Sequence, residues 1–76
     1  MRIYLGGHLN FYHPQKENWL EIEIDKPMPL TEVLENANVP LGEVHLVVVN
    51  QENVGLQDYI VDKNDEIKIF SAVGGG

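Results

Sequence analysis

The run Glu66-Ile67-Lys68-Ile69-Phe70-Ser71-Ala72-Val73-Gly74-Gly75-Gly76 closes the chain. Ile67 and Ile69 alternate with Glu66, Lys68 and Phe70, which is the period of a strand with one buried face. Lys63-Asn64-Asp65-Glu66 before it reads as a turn, with Asn64 expected in the left-handed region that asparagine tolerates. The strand then runs, almost without interval, into three glycines. Such an ending contributes little packing to a fold. It leaves a slender thread carrying the terminal carboxylate.

Working outward, Met1 to Leu5 alternates, with Met1, Ile3 and Leu5 on one side and Arg2 and Tyr4 on the other. Gly6-Gly7 ends that strand, and a polar, aromatic connection follows to Asn18. Trp19 to Asp25 alternates most cleanly: Leu20, Ile22 and Ile24 point in, Trp19, Glu21, Glu23 and Asp25 out. The first two strands are expected to pair as an antiparallel hairpin. Pro27 and Pro29 break the pattern. Leu30, Val33, Leu34 and Ala37 then recur at helical spacing, with Pro29 suited to the helix start and Pro40 expected to stop it. Val44 to Val49 is apolar except for His45, as in a central strand. Asn50 to Val61 is irregular, with a brief strand or turn near Tyr59-Ile60-Val61. Strand, strand, helix, strand, strand, with the helix on one sheet face, is an α+β roll.

Seventy-six residues make one small domain, and a domain of that size buries only about 60% of its unfolded surface. There is no cysteine, which excludes a disulfide, a thiolate zinc site and a cysteine nucleophile on this chain. The net charge of −7 argues against nucleic acid and anionic membranes, both of which call for basic side chains. It suits a basic protein partner, and it equally suits plain solubility. The longest apolar run, Leu46-Val47-Val48-Val49, is too short to cross a membrane, and the N-terminus lacks a signal-peptide layout. A cytoplasmic protein is expected.

The functional reading centres on the tail. Residues 1–70 are expected to fold and 71–76 to extend from them. Six extended residues reach roughly 20 Å, and glycines pass through a channel that side chains would block. A carboxylate becomes reactive only after activation, and this chain carries no phosphate-binding loop and no catalytic set with which to do that. It therefore reads as a protein that presents its own C-terminus to another enzyme. On composition alone, an ordinary frayed end accounts for the glycines equally well. Phe70 points outward from the last strand, where Tyr4 and Val47 or Val49 are expected beside it as an apolar patch for a partner. Trp19 is outward by the same alternation, or covered by the long connection. His8, His13 and His45 lie on different elements without metal-ligand spacing, and Gly6-Gly7 is not followed by a helix start or a Lys-Ser/Thr pair.

The whole chain resembles the MoaD/ThiS family of ubiquitin-like sulfur carriers. Leu46-Val47-Val48-Val49-Asn50-Gln51 is similar to the family's apolar strand ending in Val-Asn and a turn. Lys63 to Phe70 is similar to its Asp-Gly-Asp-Glu-Val turn and strand. Phe70-Ser71-Ala72-Val73-Gly74-Gly75-Gly76 is similar to its Phe-Pro-Pro-Val-x-Gly-Gly ending. The resemblance implies a β-grasp roll, with a mixed sheet of four to five strands and one main helix. It implies that Gly76 is the residue adenylated and then converted to a thiocarboxylate, with Gly74 and Gly75 threading the tail and Phe70, Val73, Tyr4 and Val47 on the partner-binding surface. The implied partners are an adenylating enzyme of the ubiquitin-activating type, which uses ATP and Mg²⁺, and a molybdopterin synthase large subunit or a thiazole synthase. No cofactor is expected on the chain itself, which acts as a carrier and not as an enzyme. The long first connection and the Phe-x-x-Val-Gly-Gly-Gly ending lean towards molybdopterin synthesis. Thiamin thiazole synthesis and a ubiquitin-like protein modifier are the alternatives. Asn64 replaces the turn glycine, and Ser71-Ala72 replaces the two prolines, giving a looser tail that should lose more entropy on docking.

Overall fold

A computed structural model describes residues 1–72. Strand β1 (Arg2–Gly6) pairs antiparallel with β2 (Trp19–Glu21), placing Tyr4 opposite Trp19. The ladder ends where the Ile22 N–H donates to the Met1 carbonyl at 3.0 Å. β2 is thus shorter than the alternation to Asp25 suggests. Ile22 and Ile24 still pack half-buried against the core, but Ile24 does so without strand pairing. The connection between the strands is structured. A 3₁₀ turn at Leu9–Tyr12 buries Leu9 completely, and Asn18 closes the loop by accepting from the Leu5 N–H (2.6 Å) and donating its side-chain amide to the Leu5 carbonyl (3.0 Å).

Strand β3 (Met28–Pro29) leads into helix α1 (Leu30–Asn36). Pro29 takes the N-cap position in an extended conformation, and the Leu30 N–H finds the Tyr59 carbonyl at 3.0 Å. The helix stops before Pro40 is reached. Asn38 adopts φ 63°, its N–H donates to the Glu35 carbonyl (3.0 Å), and the Val39 N–H donates to the Leu34 carbonyl (2.9 Å). That pair of bonds is a Schellman motif, and the burial of Val39 together with Leu34 supplies its usual apolar contact. Asparagine is the residue type after glycine that best tolerates this conformation, so Asn38 is the stop signal and Pro40 instead opens the next 3₁₀ turn, Leu41–Glu43.

Strand β4 (Val44–Val49) turns through Asn50 and Gln51, at φ 50° and 75°, into β5 (Glu52–Val54). Positive φ at both central residues is the backbone of a type I′ hairpin turn, whose twist matches that of the strands. Strand β6 (Ile60–Val61) pairs with β3 in a separate two-stranded sheet. Strand β7 (Glu66–Ser71) inserts between β1, to which it is parallel, and β4, to which it is antiparallel. The main sheet is therefore five-stranded and mixed, in the order β2-β1-β7-β4-β5, with α1 on one face: the expected β-grasp roll. Asn64 does not adopt the left-handed conformation expected of it; the asparagines that do are Asn38 and Asn50, in other turns. In the turn before β7, the Asp65 N–H donates to the Asp62 carbonyl (3.1 Å) and the Asp65 carboxylate accepts from the Asp62 N–H (2.8 Å). Asn64 is not among the residues with positive φ.

The core forms where the α1 stripe Leu30, Val33 and Leu34 meets the inward residues of the central strands, Ile3, Leu5, Val47, Val49, Ile67 and Ile69. Leu9, Val39 and Val61, from the connections and β6, complete it. Full burial of such a side chain stabilises by about 1.5–3 kcal/mol. Among the described residues, no buried side-chain nitrogen or oxygen lacks a hydrogen-bond partner.

Candidate functional site

The face of the sheet turned away from α1 carries a row of aromatic side chains. Tyr4 and Trp19 are directly paired across β1 and β2, and their rings meet edge-on with centroids 5.1 Å apart. Tyr4 also meets Phe70 of β7, at 6.0 Å and a tilt of 49°. Both distances lie in the range where aromatic pairs attract beyond their buried area. Leu46, 36% exposed, continues the row as the β4 partner of Phe70. The Arg2 guanidinium lies over Trp19, 4.1 Å from its centroid, and also reaches the Glu66 carboxylate at 3.1 Å. The result is a half-buried apolar band across four strands, edged by charge.

Tyr4 and Phe70 thus share one patch, as their strand positions imply. Val47 does not belong to it. It pairs with Ile69 on the inner face and is 2% exposed, and Val49 is equally buried. The place expected for Val47 is taken by Leu46. An apolar run without alternation does not declare which parity faces in. Pairing with β7, whose own alternation is clear, fixes it. The pairing shifts register between Val44 and Leu46, leaving His45 as an extra, exposed residue at a β-bulge. The remaining sequence-derived site residues, Val73, Gly74, Gly75 and Gly76, lie outside the described residues.

The seating of Phe70 depends on Gly6, which stands beside it in the β1–β7 ladder. A Cβ at Gly6 would collide with the Phe70 ring, so the ring occupies space that any other residue would fill. Sequence reading treats Gly6-Gly7 only as a strand end, and the signal it lacks is the parallel register with β7. The histidines do not converge. His13 is buried, its Nδ1 accepting from the Gln15 N–H at 2.9 Å, while His8 and His45 are exposed. Among the described residues, no group of His, Asp and Glu is arranged to hold a metal ion, and no helix is long and apolar enough to cross a membrane.

Phe70 lies within this band and is followed directly by Ser71, the last residue of β7. A protein-family model, that of the ThiS family, matches residues 11–76, which include α1, β4 and β7 and continue to the final glycine. The chain belongs to the ThiS family. No curated protein matches it. Membership makes the chain a ubiquitin-like sulfur carrier by family, and carriers of the ThiS family generally work with adenylating enzymes and synthases. The family match begins after β1, so Tyr4 and Gly6 lie outside it and are placed by the structure alone.

Proposed function

We propose that this ThiS-family chain carries sulfur as a thiocarboxylate on Gly76 for molybdopterin synthesis. The carrier part of this reading is supported by the family match running through Gly74-Gly75-Gly76 to the last residue, and the choice of molybdopterin by the long first connection and the Phe-x-x-Val-Gly-Gly-Gly ending. In this reading the Trp19, Tyr4, Phe70 and Leu46 band docks on an adenylating enzyme while Gly74 and Gly75 thread the carboxylate into its active site. The carboxylate attacks the α-phosphate of ATP, held with Mg²⁺ by that enzyme. Pyrophosphate leaves, and an acyl-adenylate forms. Hydrosulfide, supplied by the sulfur donor, then adds to the acyl carbon and expels AMP with loss of a proton, leaving the thiocarboxylate. A synthase receives the same tail, the thiocarboxylate sulfur bonds to the pterin precursor, and water cleaves the acyl C–S bond so that the Gly76 carboxylate is regenerated. The carrier supplies no catalytic group to these steps. It contributes the docking surface and the thread.

Incubation with an adenylating enzyme of the ubiquitin-activating type, ATP–Mg²⁺ and a sulfur donor should raise the intact mass by about 16 Da, the difference between sulfur and oxygen. No gain with an enzyme competent on its own carrier would refute the reading. In a second reading, open to any carrier of this family, the acceptor is the thiamin thiazole. Complementation separates the two: rescue of cells lacking the molybdopterin carrier supports the first, and rescue only of cells lacking the thiazole carrier supports the second. A protein modifier would instead leave Gly-Gly remnants on lysines of other proteins.

A further inference from the structure

Two consecutive glycines at the end of β1 lie against two consecutive residues at the end of β7. Gly6 makes room for the Phe70 ring. Gly7, at φ 63°, makes room for Ser71: a Cβ there would run into the Ser71 hydroxyl, with the Ser71 Cβ and backbone nitrogen each 3.2 Å away. The next residue completes the grip, as the His8 N–H donates to Ser71 Oγ at 3.1 Å. From the other side Ser71 pairs with Val44, just past the bulge at His45. Ser71 is the last residue of β7. It is therefore held from both flanks at the point where the chain leaves the sheet.

We propose that Ser71, gripped by Gly7 and the His8 N–H, is a positioning residue that sets the direction in which the C-terminal residues depart from the aromatic docking band. The proposal rests on the reading that the C-terminus is loaded by a partner, and it names what aims it. A proline restricts a chain through its ring. Here a side-chain hydrogen bond, packed against a glycine, supplies the constraint at the root instead. Without it, more departure angles are open to the tail, and docking has more freedom to remove. That loss precedes chemistry and falls equally on ground and transition states, so it belongs in KM and not in kcat.

The test uses the full chain and an adenylating enzyme that loads it, followed by ATP–pyrophosphate exchange at varied carrier concentration. Ser71→Ala removes the acceptor and should raise the carrier KM about threefold to tenfold with kcat within about twofold, the range expected for one exposed hydrogen bond. Ser71→Thr keeps the hydroxyl and should restore the wild-type KM. Amide exchange at His8 should quicken in Ser71→Ala while the melting midpoint stays near wild type. Equal KM values for wild type and Ser71→Ala would overturn the proposal and leave the loading reading intact. A raised KM that Ser71→Thr fails to restore would overturn it as well. If the wild-type chain is not loaded by any such enzyme, both fall together.

Discussion

Arg2 shows how modest the contribution of a well-placed surface residue is. Its guanidinium touches both Trp19 and Glu66, yet both ion-pair side chains are about half exposed, and exposed pairs contribute about 0–1 kcal/mol. Arg2→Ala is therefore expected to lower stability by no more than about 1–2 kcal/mol, the cation–π contact included, as read from urea unfolding. A larger loss would mean that the outer band supports the fold and not only its surface. Tyr59 makes a signed prediction. Its phenol is pushed above the ordinary value of 10.0, first by burial and then by the carboxylates of Asp65 and Glu52. The fold thus favours the neutral phenol. Its contribution is fully present below the unfolded value and is lost as pH rises through the folded one. Tyr59→Phe should flatten the stability curve above about pH 10, and an unchanged alkaline limb would exclude Tyr59 as a source of it.

At the scale of elements, the hairpin β4–β5 is a place where local sequence and backbone disagree. Asn50 suits positive φ, and it is tied on both sides: its side-chain amide donates to Asp65 (2.9 Å) and its oxygen accepts from the Glu66 N–H (3.0 Å). Gln51 has no such preference, yet sits at φ 75°. Gln51→Gly should stabilise the domain by up to about 1 kcal/mol, by relieving left-handed strain, measured as a shift in denaturant midpoint with unchanged slope. A destabilised Gln51→Gly would contradict the turn. The same hairpin marks the limit of what the sequence discloses. β1, β7 and α1 are legible because two or three periods of alternation survive in each. β5, whose only apolar residue on the inner face is Val54, carries too little pattern to stand out in the Asn50–Val61 stretch. Leu9 and Val39 join the core from a 3₁₀ turn and a helix cap, where no period exists to announce them. The outer band was half legible: Tyr4 and Phe70 follow from their own strands, whereas Leu46 in place of Val47 follows only from pairing with β7.

At the scale of the whole molecule, the two faces of one sheet divide the work. The inner face closes the core against α1, and the outer band is proposed to receive the partner. Neighbouring residues of β4 therefore give opposite tests. Val47→Ala should cost about 1–3 kcal/mol of stability, with loading by the adenylating enzyme preserved below the melting transition. Leu46→Asp should leave the melting midpoint nearly unchanged and weaken loading at least about tenfold, as expected when a charge is buried unpaired in an apolar interface. Loading indifferent to Leu46→Asp would remove the band from the docking surface. The order of the strands gives this division its purpose. Because β7 lies in the middle of the sheet, beside β1 and β4, it ends within the band and not at an edge. Fragmentation mass spectrometry of the loaded chain tests that arrangement most directly, by locating the added sulfur. The account predicts the increment of about 16 Da on Gly76 alone, and none in a chain ending at Gly74. Sulfur at any other residue, or a truncated chain that is loaded as well as the intact one, would contradict it.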